Sequence, residues 1–142
     1  MAYNKNPISL REGSVFLNGI EVMDSVKCSV KFTPDTWKGR TLGEKSPSSR
    51  WLGYEISGSI TRRRSKPWLK EMIMEYIKTG VTPEFSVQGI SDDPNSDFYE
   101  EFGTDTVTLV GCVLTGDIKL LELDSEGNVL DDEINFSAKD MV

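Results

Sequence analysis

Asp92, Asp93, Asp97, Glu100 and Glu101 crowd five carboxylates into one short stretch. Oxygen ligands of this kind suit a hard cation, and two carboxylates at the right separation can cleave a glycosidic bond. The spacing is not that of the helix-flanked calcium loop, and a sequence fixes no carboxylate separation. A solvated loop built on Asp-Asp-Pro turn chemistry accounts for the same residues. Positive charge gathers at Arg62, Arg63 and Arg64. Three adjacent guanidiniums suit carboxylates offered by a partner subunit, a solvated corner, or phosphate. Trp37, Lys38, Arg40, Arg50 and Trp51 form a third group, in a stretch punctuated by Gly39, Gly43 and Pro47. Tryptophan and arginine dominate interface energetics, and a long loop rarely carries two indoles unless they have something to pack on.

Other chemistry drops out. Histidine is absent, which removes Ser-His-Asp and Cys-His nucleophiles, imidazole metal sites and any histidine switch. Lys78-Thr79-Gly80 matches one element of the penicillin-interacting enzymes, but their S-x-x-K motif is missing and the triplet reads as a helix end. Asn135-Phe136-Ser137 is a formal glycosylation sequon lying in a strand. With 23 acidic against 16 basic residues, the net charge of -7 argues against general nucleic-acid binding. Cys28 and Cys112 are far apart and in no C-x-x-C pattern, so both read as reduced, buried, small hydrophobes. No stretch reaches the ~18 consecutive apolar residues of a membrane helix, and the first residues lack the apolar run of a secretion leader. No cofactor or metal is expected.

The 142 residues suit one domain, 1–142, with residues 1–12 as a polar N-terminal arm. Asn18-Gly19 between short apolar runs predicts a hairpin. Val26, Cys28, Val30 and Phe32 alternate with polar residues as a half-buried strand does, and Pro34 is expected to end it. A long loop follows, at about 34–53. Tyr54, Ile56, Gly58 and Ile60 then alternate in a second strand that closes at the arginine triplet. Ser65 stands where an N-cap belongs, and Pro67 falls in the first helical turn. Trp68, Leu69, Met72, Ile73, Tyr76 and Ile77 form one apolar stripe, ended by Gly80; Met74 falls off it and is expected at the surface. Further strands are predicted at 84–90, 106–114, 117–123 and 133–139. The fold is therefore mainly β with one α-helix: a small antiparallel β-barrel or sandwich of about seven or eight strands, flanked by one amphipathic helix at about 66–79.

The order of these pieces resembles a known family. The hairpin around Glu12-Gly13, Phe16, Asn18-Gly19 and Glu21 comes first, followed by the strand Ile56-Ser57-Gly58-Ser59-Ile60-Thr61 and the helix from Trp68 to Gly80. Pro83-Glu84-Phe85-Ser86-Val87-Gln88, the Asp92-Asp93-Pro94 loop, Thr106-Val107-Thr108-Leu109 and Glu133-Ile134-Asn135-Phe136-Ser137 complete it. This is similar to the tail tube proteins of contractile-tailed phages, PBSX-like defective prophages and phage-tail-like (R-type) bacteriocins, from about Gly13 to Phe136. Glu44, Lys45 and Trp51 depart from the glycine-rich wording of that family between residues 42 and 58.

The resemblance implies a structural subunit with no enzymatic activity, assembling as stacked hexameric rings into the inner tube of a contractile tail. Its implied partners are copies of itself and the tail sheath, baseplate and tail terminator proteins. It places the chain in a virion or tail-like particle, assembled in the host cytoplasm, with no membrane partner. It implies no specific nucleic-acid binding; the lumen passes DNA if the particle carries DNA, and whether it does or is a headless bacteriocin stays open. The segment at 34–53 falls where the family carries a loop or hairpin that reaches the adjacent subunit or ring. Trp37, Lys38, Arg40, Arg50, Trp51, Arg62, Arg63 and Arg64 are accordingly the expected subunit-interface residues. The unpaired acids are then left for the bore or the outer wall. Two other readings stand beside this one: the tube protein of a secretion-type injection system, and a monomeric β-barrel binding module using the Trp37–Trp51 loop.

Overall fold

The computed structural model describes residues 5–142. The element order is β1 (Gly13–Leu17), β2 (Ile20–Glu21), β3 (Ser25–Gly39), β4 (Ser48–Arg63), α1 (Trp68–Thr79), β5 (Phe85–Ser91), α2 (Asp97–Phe102), β6 (Asp105–Leu114), β7 (Asp131–Ala138) and β8 (Asp140–Met141). All eight strands join one antiparallel sheet of order β2-β1-β5-β6-β7-β4-β3, with β8 beside β6. The protein is mainly β with one main helix, as the alternation requires. The sheet does not close: β2 and β3 are its two ends.

Its core forms where residues of both halves converge. Leu17, Val87 and Leu109 from one half meet Ile56, Ile60, Ile134 and Phe136 from the other in a single buried cluster. Leu69 enters the same cluster from α1, with Trp68 and Met72 packed against it. At Gly58 the sheet needs its glycine, since a Cβ there would lie 2.6 Å from both the Phe136 ring and the Ser29 carbonyl oxygen. Asn18 (φ 53°) and Gly19 (φ 80°) supply the two left-handed residues of the β1–β2 turn.

Four expectations are corrected. The long loop at 34–53 is mostly strand. β3 continues through Pro34 to Gly39 and pairs with β4 as far as Gly39↔Ser48, so only 40–47 is turn. Pro34 is tolerated because β3 is an edge strand, half of whose N–H groups point away from any ladder. The strand expected at 117–123 is absent, because β5, β7 and β8 already occupy the edges of β6. α1 begins at Trp68 with Pro67 as its N-cap and no capping side chain. Pro67 disfavours helical backbone at Lys66, and the Ser65 hydroxyl donates instead to Asp24. Finally, of the helical stripe only Leu69 is buried; Trp68, Met72 and Ile73 are half-buried, and Tyr76 and Ile77 are exposed. Gly80 ends the helix as expected, at φ 73° with its N–H on the Tyr76 carbonyl at 2.7 Å.

Candidate functional site: the projecting hairpin and its charged surroundings

β3 and β4 are 15 and 16 residues long, about three times an ordinary strand, so the core can cover only part of them. The register puts Cys28, Val30, Phe32 and Pro34 on the face shared with Ile60, Gly58, Ile56 and Tyr54. Ile56 and Ile60 on that face are buried. Further out the same face leaves the body of the protein, and Phe32, Tyr54 and Trp51 are 47%, 53% and 64% exposed. Phe32 stacks on Tyr54 at 5.5 Å and meets Trp51 at 5.6 Å. A bulge between Asp35 and Thr36 lets Trp51 rejoin this face.

Trp37 lies opposite Arg50, on the other face. Its ring lies over Gly39, where a Cβ would come within 2.5 Å of the indole. Lys38 pairs with Ser49 in register, and Arg40 opens the turn. All of these are exposed except Gly39, which is half-buried. The hairpin thus gathers five of the eight expected interface residues. Phe32 and Tyr54, expected to face the core, stand half-exposed on the same hairpin. Their signal in the sequence is alternation that outruns what a small core can bury.

Arg62, Arg63 and Arg64 sit about 40 Å from Arg50 along β4 at the usual strand rise, and their partners come from this chain. Arg62, only 6% exposed, lies with Nε 3.7 Å from the Asp132 carboxylate, beside the Trp68 ring, and donates from Nη2 to the Lys66 carbonyl at 3.3 Å. Arg63 grips Asp131 through both carboxylate oxygens at 2.8 and 3.1 Å. Arg64 donates to Asp132 at 2.7 Å and to the carbonyls of Leu120 and Lys119 at 2.9 and 3.1 Å. β7 therefore supplies the carboxylates that a partner subunit was expected to offer. Arg64 also pins the irregular segment after β6 by its backbone. A groove of about 450 Å³ beside Arg62 is lined by Ile20, Met23 and Trp68 and includes neither Trp37 nor Trp51.

The acidic stretch divides in two. Asp93 and Asp97 hold the N-terminal arm by its backbone. The N–H groups of Lys5 and Asn6 donate to Asp97 at 2.7 and 2.9 Å, and that of Ser9 donates to Asp93 at 3.1 Å. Asp97 returns its own N–H to the Asn6 carbonyl at 2.9 Å. Ser96 caps α2, its hydroxyl accepting from the Tyr99 N–H at 3.2 Å. Asp92, Glu100 and Glu101 remain exposed, next to exposed Tyr99 and Phe102. Among the described residues no His, Cys, Asp or Glu group has the geometry of a metal site. Cys28 and Cys112 are free thiols whose pKa values burial pushes up. The Ser65 hydroxyl, above all, holds the Asp24 carboxyl below its ordinary range.

Comparison with known proteins gives a consistent result. A family model described as "Phage tail tube protein" matches residues 2–141. The phage-like element PBSX protein XkdM of Bacillus subtilis (strain 168) is 26% identical over 136 residues, covering 96% of this chain and 89% of the relative. The uncharacterized protein YqbM of the same organism matches to the same extent. Among solved structures, the chain resembles one in the PVC sheath-tube complex, an extracellular contractile injection system in its extended state. The TM-score is 0.69 at 13% identity, over 97% of this chain and 91% of the other. A chain of the anti-feeding prophage baseplate gives a TM-score of 0.60 at 15% identity, covering 92% and 89%.

Proposed function

The chain belongs to the phage tail tube protein family, and on that premise we propose that it stacks as hexameric rings into the inner tube of a contractile tail or tail-like particle. Its role is mechanical rather than catalytic: it forms a conduit inside a sheath. The observation that carries this reading is the 15-residue edge strand β3, unpaired along its outer side among the described residues, with Phe32 on it and Tyr54 and Trp51 beside it on β4 standing largely exposed. An edge of that length invites pairing with another chain. Aromatic rings held together in solvent mark a surface that is buried on assembly.

The two ends of the open sheet differ, so copies meet head to tail. Such heterologous contacts close into rings or run on as tubes. Trp37, Lys38, Arg40, Arg50 and Trp51 act at these contacts. Arg62, Arg63 and Arg64 support them indirectly, by fixing β4 to β7. The fold's likeness to chains from a sheath-tube complex and from a baseplate supports sheath and baseplate proteins as partners. By the same reading the subunit assembles in the host cytoplasm before it enters the particle.

The experiment is sedimentation of purified chain beside its Trp37→Ala and Arg50→Glu variants. The parent sediments as large assemblies, and the variants remain mostly as small species with an unchanged circular dichroism spectrum. Variants that assemble like the parent would remove Trp37 and Arg50 from the interface.

A further inference from the structure

Charge is divided unevenly along the chain. Residues 25–66, which hold β3 and β4, carry ten Lys and Arg against three acids. Residues 79–118, which hold β5, α2 and β6, carry eight acids and not one Lys or Arg. Strand direction puts the exposed parts of both groups at the same end of the sheet. β4 and β6 both run antiparallel to β7, so the turn that opens β4 and the helix that precedes β6 share that end. The hairpin lies toward the β3 edge, and α2 lies on the other side of β7, toward β1. A rotation that carries one subunit onto its ring neighbour keeps the same end level. The hairpin of one copy can therefore meet the α2 corner of the next, while within one chain the two stand apart.

We propose that the aromatic face of the β3–β4 hairpin seats on the α2 corner of a neighbouring copy of this chain. This rests on the tube reading and names the surface that receives the hairpin. Phe32, Tyr54 and Trp51 are each about half or more exposed, and on α2 Tyr99 and Phe102 are 38% and 68% exposed. Near the first set stand Lys38 on β3 and Arg40 and Lys45 in the turn; beside the second stand Glu100 and Glu101, also exposed. Apolar rings at the centre with opposite charges around them give both burial and orientation. The division of labour in the acidic stretch follows: Asp93 and Asp97 hold the corner together through the arm, and Glu100 and Glu101 face the neighbour.

Carbodiimide coupling, which joins a lysine amine to a carboxylate in contact with it, tests the seat. Nitrogen-15-labelled and unlabelled chains are mixed, assembled, coupled, digested and analysed by mass spectrometry. The expected products join Lys38 or Lys45 to Glu100 or Glu101, with mixed isotope composition. A Glu100→Lys/Glu101→Lys variant should lower the assembled fraction roughly tenfold or more, and Lys38→Glu/Lys45→Glu added to it should restore assembly. Assemblies in which the hairpin lysines couple elsewhere, or reach α2 only within one chain, overturn the seat and leave the tube reading intact. A chain that sediments only as monomer overturns both.

Discussion

Asp132 serves two guanidiniums at once, those of Arg62 and Arg64, while being only 2% exposed. A buried carboxylate in that position is costly to lose, because removing it strands a buried arginine. Asp132→Asn should lower the unfolding free energy by about 3–5 kcal/mol. Asp131→Asn removes a solvent-screened pair with Arg63 and should cost less than about 1 kcal/mol; urea unfolding midpoints measure both. The arginine triplet is obvious in the sequence, but its partners are not. Asp132 lies 68 residues from Arg64, and only the β4–β7 register, Arg62↔Asp132 and Arg63↔Asp131, brings them across. The acidic stretch has the same history, since the backbone N–H groups that Asp93 and Asp97 accept from belong to an arm 84 to 92 residues earlier.

The β3–β4 hairpin extends past the core that its inner residues help to build. None of residues 35–53 is buried, so the body should not depend on them. Replacing 35–53 by a two-residue Asn-Gly turn between Pro34 and Tyr54, which face each other in register, should leave a folded monomer. Its stability should stay within about 0.5 kcal/mol of the parent while assembly is lost; urea unfolding and sedimentation read the two effects. Alternation located both strands from sequence, and Pro34 obscured their length, because proline ends a central strand but is harmless on an edge. The strand expected at 117–123 failed for a complementary reason. Local pattern says nothing about whether a free edge is at hand, and β6 has none to offer. In α1 the stripe and the Gly80 stop were legible, but the exposure of Tyr76 and Ile77 was not, since a periodic stripe does not say how far the surface beneath it extends.

At the scale of the molecule, an open sheet has two unlike ends, and the chain is basic along one half and acidic along the other. The net charge of -7 is thus the residue of a polarised distribution rather than a uniform coat, and polarity of this kind steers like copies into one orientation. Family, fold class and helix were readable because each rests on local pattern and order. The candidate interface residues were readable as types, but their grouping on one hairpin was not, because it depends on the β3–β4 register. The most direct measurement is electron microscopy of the purified protein at high concentration. Hexameric rings of uniform bore, stacked into tubes, are the result predicted here. A population that stays monomeric at every concentration, with neither rings nor filaments, would contradict it.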